Sequence, residues 1–194
     1  MSEWTETPDI VGEHVRLTAL RPEHAAGVHA ASDDDEVFTW QLFHRPTSLT
    51  EAEELIELYL SRHNTLAWAQ IDQRTNEVAG LTTYYDIDPS RRTVAIGSTW
   101  LGRRFWRTGI NTEAKLLLLR RAFDDLGCAR VVWHVDIKNE RSQAAVARIG
   151  GVREGVLRKH IIRRDGSWRD TVLFSMIDDE WPAARQALEA RLQR

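Results

Sequence analysis

The run from Ile96 to Glu113, IGSTWLGRRFWRTGINTE, constrains the fold more than any other stretch of this 194-residue chain. An apolar segment containing Gly97 meets a short basic loop, and the loop feeds directly into a long apolar helix. The first amides of a helix lack intrahelical acceptors, and its amino end carries positive partial charge. A strand–loop–helix of this kind aims free N–H groups at one spot, and a phosphorylated cofactor is the natural occupant of that spot.

Length and a hydrophobic content of 42% predict one domain over residues 1–194 with a sizeable core. Charged residues make up 28% and the formal net charge is -3, which reads as solvated surface and not as the positive balance of a duplex binder. No nucleic-acid partner is expected. Cys128 is the only cysteine, so no intrachain disulfide can form and no paired-cysteine metal motif exists. It follows Gly127 beside an apolar strand and is expected to be a buried structural thiol; no metal is expected. The polar amino-terminal segment lacks a signal-peptide stretch. The longest apolar helix face, with Lys115, Arg120, Arg121 and Asp124 around it, falls short of a membrane span. A cytoplasmic protein without membrane attachment is expected.

Along the chain, alternation at Val15, Leu17 and Ala19 predicts a strand over 14–20. Pro22 suits the first turn of a following helix. Residues 37–50 hold Phe38, Trp40, Leu42 and Phe43 with little periodicity and read either as buried coil or as a wall of a substrate site. Thr50-Glu51-Ala52-Glu53 predicts a capped helix running to about Arg62. Leu66–Asp72 and Val78–Asp86 predict a hairpin, and Thr93–Leu101 a third strand in that group. Asn111–Leu126 predicts the most regular helix, closed by Gly127. A strand over Arg130–Val135, a helix over Arg141–Ile149, a hairpin of Val152–Arg163 with Arg169–Met176, and a last helix over Glu180–Gln193 complete the pattern.

Within the basic loop, Gly109 suits a positive φ angle. Arg107, Thr108, Gly109, Ile110, Asn111 and Thr112, with Arg103 and Arg104 nearby, either cradle a pyrophosphate or make a plain glycine turn capped by Asn111 or Thr112. The spacing matches neither a Walker A loop nor the dinucleotide-binding glycine pattern. Asn139 fits a helix N-cap, and Ser142 falls in the first turn of that helix.

These pieces resemble the GCN5-related N-acetyltransferases, and in particular the branch that includes ribosomal-protein N-terminal acetyltransferases. The matching segments are IGSTWL, WRTGINTEAKLLLLRRAFDDLG, HVDIKNERSQAAVARIGGVREGVLRKH and DTVLFSMIDDEWP, and the likeness runs from about Val15 to Trp181. The resemblance implies an α/β fold: a mixed, mainly antiparallel seven-stranded sheet with a V-shaped splay between the strands at Ile96 and Val132, and helices on both faces. It implies acetyl-CoA in that gap. Thr99, Trp100 and Leu101 would pair with the pantetheine arm, Arg107 to Thr112 would meet the pyrophosphate, Asn139 would lie near the pantetheine, and Ser142 near the thiol. The family loop usually reads Gln/Arg-x-x-Gly-x-Gly/Ala; here those positions are Trp106, Gly109 and Asn111, so only the central glycine matches.

Acetyl transfer requires a neutral attacking amine, a donor for the oxyanion and a proton for the leaving thiolate. A backbone N–H near Thr99 or Trp100 suits the oxyanion, and Ser142 suits the thiolate. Relatives often carry a glutamate base at the position of Ala95, and alanine cannot take a proton. Asp86 is the substitute named here, with Asp136 and His134 as others. Trp40, Trp68 or Trp106 could line the acceptor pocket. The acceptor is expected to be a peptide or protein N-terminal amine, with a small-molecule amine or a non-catalytic acyl-CoA sensor as alternatives, and a homodimer as the assembly.

Overall fold

A computed structural model of the chain describes residues 2–193. Its strands are β1 (Ile10–Val11), β2 (Val15–Ala19), β3 (Thr65–Asp72), β4 (Val78–Asp88), β5 (Thr93–Leu101), β6 (Arg130–Asp136), β7 (Val152–Ile162) and β8 (Trp168–Ile177). The helices are α1 (Ala25–Ala31), α2 (Leu49–Leu60), α3 (Ile110–Arg120), α4 (Glu140–Arg148) and α5 (Trp181–Leu192). One sheet of eight strands runs in the order β1-β2-β3-β4-β5-β6-β8-β7. Every neighbouring pair is antiparallel except β5 with β6. The expected class holds with one strand more than the seven predicted. The extra strand, β1, has two residues, too few to show alternation.

Two apolar layers sandwich the sheet. Leu116 to Leu119 of α3 and Leu188 of α5 pack with Val94, Ile96, Trp133 and Val135. On the other face, Val28 of α1 and Leu55, Ile56 and Tyr59 of α2 pack with Ala69, Leu81 and Trp100. The aperiodic segment after α1 contributes Phe38 and Phe43 to this second layer, with Phe38 5.0 Å from the Trp100 ring and Phe43 5.6 Å from Tyr59. Buried coil is thus part of its role.

Helix boundaries follow local chemistry, with three corrections. Ser48, not Thr50, caps α2, accepting from the Glu51 amide. α3 begins at Ile110 after Gly109, with no side-chain cap, so neither Asn111 nor Thr112 is the N-cap. The predicted single helix to Leu126 changes at Arg121–Asp125 into a wider π turn.

Glu113, in the first turn of α3, is buried, and its carboxylate accepts from the amides of Glu13 (2.8 Å), His14 (2.7 Å) and Val15 (2.8 Å). Three converging N–H groups compensate the buried charge and pin the β1–β2 corner to the helix. Gly12 is required there, since a Cβ would lie 2.4 Å from the Glu113 carboxyl. Glu113→Ala is therefore expected to cost about 3 kcal/mol, because it removes the shared acceptor of three amides, that of Val15 buried. Thermal unfolding followed by circular dichroism should show Tm falling by about 6–12 °C; a fall below about 2 °C would contradict this anchoring role.

Candidate active site

β5 and β6 pair at only three registers: Thr93 with Arg130, Val94 with Val131 and Ala95 with Val132. From Ile96 onward β5 has no strand partner on its β6 side among the described residues, while β6 stays paired with β8 as far as Asp136 and Thr171. The two strands part where the resemblance placed the splay.

β5 also changes face within this stretch. Val94 and Ile96 belong to the α3 layer, yet Trp100, an even number of residues on, belongs to the α1–α2 layer. A strand with strict two-residue alternation cannot do this. The register supplies the cause: Leu81 opposes Trp100 while Thr83 opposes Gly97, so Thr82 faces both Ser98 and Thr99. Ser98 adopts φ 46°, a left-handed conformation that makes a bulge. Tyr59 donates to the Ser98 carbonyl (3.0 Å) and Gln41 to that of Thr99 (3.2 Å), and Arg62 donates to the Ser98 hydroxyl (3.3 Å). The side chains of Trp100 and Leu101 are buried, and their carbonyls already accept from Gln70 (3.3 Å) and the Trp106 indole (2.8 Å).

Beneath the bulge lies a charged group that the sequence reading placed among ordinary helix charges. Lys115 is buried, and its Nζ donates to Thr99 Oγ1 (2.7 Å) and Thr82 Oγ1 (3.4 Å), with no carboxylate paired to it among the described residues. Burial pushes the amine down to about 7. Helical spacing contained the signal, since Leu118, Leu119 and Ala122, three, four and seven residues on, are all fully buried.

The loop from Arg103 to Gly109 carries a correction. Gly109 has φ −66°, not a positive angle; the left-handed residue is Arg107, at φ 62°. Gly109 is needed for a different reason, because a Cβ there would sit 2.7 Å from the His14 ring. Arg107 is exposed and makes no ion pair among the described residues. The Thr108 hydroxyl donates to the Phe105 carbonyl (2.7 Å). Ile110, Asn111 and Thr112 form the first turn of α3. A helix amino end beside an uncommitted guanidinium fits a pyrophosphate.

Across the gap, Asn139 is the N-cap of α4, its Oδ1 accepting from the Ser142 amide (3.0 Å), as the sequence predicted. Ser142 is half-buried, and its hydroxyl makes no hydrogen bond among the described residues. The two banks face each other, for the Arg141 guanidinium lies 3.9 Å from the Trp106 ring centre, and Arg103 stacks there too at 4.4 Å. Glu36 pairs with both arginines. Trp106 therefore sits between Arg103 of its own loop and Arg141 of α4. Trp40 lines a cavity of about 280 Å³ with Lys138, Asn139 and Arg141. Trp68 is fully buried and donates to the Pro8 carbonyl (2.9 Å), so it cannot line an acceptor pocket.

On the α1–α2 side of the gap, Tyr85 of β4 makes a 2.8 Å hydrogen bond to Nδ1 of His134 on β6. The His160 ring of β7 lies 5.7 Å from that of His134. Burial holds His134 below its usual range, opposed by the Asp86 carboxylate; His160 and Arg169 push in the same direction as burial. Asp86 is exposed, at φ 49°, with no hydrogen bond or ion pair among the described residues. Asp136 is different. Burial alone would raise its carboxyl, but hydrogen bonds from Arg163 (2.7 and 2.9 Å) and the Lys138 amide outweigh it and hold the group low. It anchors arginines and is not free to take a proton. Cys128 is buried as expected, its thiol pushed up to about 12 by burial.

Residues 14–152 match the family model for the acetyltransferase (GNAT) domain. The chain belongs to the GNAT acetyltransferase family. A GCN5-related N-acetyltransferase from Brucella melitensis is 34% identical, with a TM-score of 0.92 over 96% of this chain and 86% of that one. The Bacillus subtilis (strain 168) protein named "Putative ribosomal N-acetyltransferase YdaF" is 27% identical over 179 residues, covering 88% of this chain and 95% of that one. Spermidine N-acetyltransferase from Vibrio cholerae, solved with CoA and spermine, shares the fold at a TM-score of 0.71 and 16% identity, covering 88% and 99%. This GNAT chain is accordingly an acetyl-CoA-dependent acyltransferase. Among its described residues no group of three or more His, Cys, Asp or Glu is placed to hold a metal ion, and no helix is long and apolar enough to cross a membrane.

The state of Lys115 in the GNAT core is measurable. With its amine pushed down from 10.5 to about 7, the unfolded chain binds a proton between those values that the folded one does not. Stability should thus rise with pH across that window and level off below it. Lys115→Met is expected to exceed wild type in stability at pH 7. In urea unfolding the difference should shrink by about 3 kcal/mol by pH 9.5, whereas a pH-independent difference would mean the amine titrates normally.

Proposed function

We propose that this GNAT enzyme transfers the acetyl group of acetyl-CoA to the N-terminal amine of a peptide or protein. The observation that carries the reading is the parting of β5 and β6 after three paired residues. It leaves a main-chain edge over residues 96–101 on one bank and the uncommitted Ser142 hydroxyl on the other. Acetyl-CoA fits this gap: Arg107 and the first amides of α3 suit its pyrophosphate, and the Thr99–Leu101 main chain suits its pantetheine.

In this reading the amine attacks the thioester carbonyl directly. A main-chain N–H near the Ser98 bulge stabilises the oxyanion, and Ser142 donates to the departing sulfur. Holding both reactants in one cleft contributes several kcal/mol more. Two observations favour a peptide amine over a polyamine. The relative from Bacillus subtilis carries the name "Putative ribosomal N-acetyltransferase YdaF". Among the described residues about the acceptor side, the half-buried Arg62 has the Ser98 hydroxyl as its polar partner, Arg169 and Arg163 pair with Asp136, and Asp86 is a free carboxylate. A polycation would find one free carboxylate there, set against Arg62.

Mass spectrometry of the products formed from acetyl-CoA with seryl- and alanyl-terminated peptides, a lysine peptide, spermidine and an aminoglycoside tests the acceptor class. A single added acetyl group on the peptide N-terminus is expected. Calorimetric CoA binding without turnover on any amine would mark a sensor and not an enzyme. Ser142→Ala should lower turnover about 100-fold and leave CoA affinity nearly unchanged; equal loss of both would contradict its place at the thiol.

A further inference from the structure

The acetyltransferase reading leaves one requirement open. The amine arrives protonated, and the position where relatives often carry a glutamate is Ala95, buried and unable to take a proton. The geometry around it shows what replaces the carboxylate. Tyr85 is the cross-strand partner of Ala95 on β4. Its ring fills the volume that a side chain at Gly97 would need, since a Cβ there would lie 2.7 Å from the ring and 3.4 Å from the hydroxyl oxygen. Two consecutive small residues on this face of β5, Ala95 and Gly97, thus make room for Tyr85 directly beside the Ser98 bulge.

The Tyr85 hydroxyl then reaches over the parted strands to His134 Nδ1, at 2.8 Å. His134 is two residues past Val132, the last β6 residue paired with β5, and its burial is partial. His160, exposed on β7, lies next to it. The groups facing His134 are Tyr85 and Asp86 from β4, His160 from β7 and Arg169 from β8, which donates to the His134 carbonyl (2.9 Å). β5 presents only Ala95 and Gly97 here and no titratable group. A half-buried hydroxyl beside the bulge is thereby joined to a half-buried imidazole that borders the exposed His160.

We propose that Tyr85 and His134 form the proton exit of the acceptor site, standing in for the absent glutamate. The Tyr85 oxygen accepts a proton from the acceptor ammonium while its own hydroxyl proton passes to His134 Nδ1, and His134 releases it to solvent. The neutral amine then forms the C–N bond, the C–S bond breaks, and the electron pair stays on the CoA sulfur. The second proton lost by the nitrogen ends on that sulfur by way of Ser142. Asp86 is a positioning residue in this scheme, and its carboxylate favours the imidazolium.

The inference rests on the acetyltransferase reading, and its test separates the two. With whichever amine of the panel turns over, kcat/KM of wild type should fall at low pH with a limb below 6.5, the ordinary histidine value, because burial holds His134 down. His134→Gln should lose that limb and fall about 100-fold at pH 7, recovering as pH approaches the amine's own pKa. Tyr85→Phe should lower kcat at unchanged calorimetric CoA affinity. In the free protein, histidine NMR should place the His134 titration below 6.5, and Asp86→Asn should move it lower still by removing the opposing carboxylate. Unaltered pH profiles in both His134→Gln and Tyr85→Phe, with CoA still bound, would overturn the relay and leave the acetyltransferase standing. Failure of wild type to bind CoA or acetylate any amine would overturn both. Should His134→Gln fail to fold, Tyr85→Phe, which keeps the ring, decides the question.

Discussion

Parallel pairing between β5 and β6 ends after Ala95 and Val132, and the sheet cannot close again because each strand is held elsewhere. β6 remains bound to β8 for its whole length, from Arg130 with Ile177 to Asp136 with Thr171. β5 is drawn toward β4, where the bulge at Ser98 turns Trp100 into the α1–α2 layer. An unpaired main-chain edge inside a protein is costly unless something satisfies it. Here side chains from α2 and the preceding coil, Tyr59 and Gln41, meet the carbonyls of Ser98 and Thr99. The cleft therefore follows from β6 being held by β8 and β5 by β4 with its bulge at Ser98. Of the groups that border it, the Ser98–Leu101 main chain lies on a strand and Ser142 on α4, whereas Arg107 lies on the loop before α3.

The two buried charges of α3, both in its amino-terminal half, are compensated very differently. Glu113 meets three amides and holds the β1–β2 corner. Lys115, two residues on, meets only the hydroxyls of Thr99 and Thr82, which also contact each other at 2.8 Å. An ion with two neutral partners remains undercompensated in a low-dielectric layer. Its position suggests what offsets that cost. By tying Thr99 to Thr82, the two residues that flank the bulge on facing strands, the amine fixes the register slip that opens the cleft.

Some local chemistry was legible in the chain, though the caps expected at Thr50 and at Asn111 or Thr112 were not, and long-range geometry was legible only where the family resemblance placed the parting of β5 and β6. Asn139 as the cap of α4 and the apolar body of α3 depend on neighbours within a few residues, and both were predicted. The bulge was hidden because Ile96 and Trp100 are both apolar and both even-numbered: regular alternation on one face and burial on opposite faces leave the same letters. Gly109 invited a positive φ, but the constraint that requires glycine comes from His14, 95 positions away in sequence, and Arg107 takes the left-handed conformation instead. Trp68 carried no mark to separate a fully buried indole from a pocket wall. The contact between Tyr85 and His134 spans 49 positions and follows only from the strand order.

That same strand order links Ala95, Gly97 and Tyr85 as one structural choice. A glutamate at 95 would stand on the face that Tyr85 shares as cross-strand partner, and its carboxylate would compete with the phenol ring for a buried space. Burial already raises the Tyr85 hydroxyl well above its ordinary value, so the phenol stays protonated at any physiological pH. A neutral phenol cannot hold a proton by itself; it can only pass one on. The partner must therefore be able to take a proton and reach solvent, and among the groups around Tyr85 the half-buried imidazole of His134, hydrogen-bonded to the phenol, satisfies both conditions. In the proposed relay, the small residues at 95 and 97, the ring of Tyr85 and its contact with His134 thus form one arrangement of the β4–β5–β6 face, with the proton acceptor on the strand across the gap.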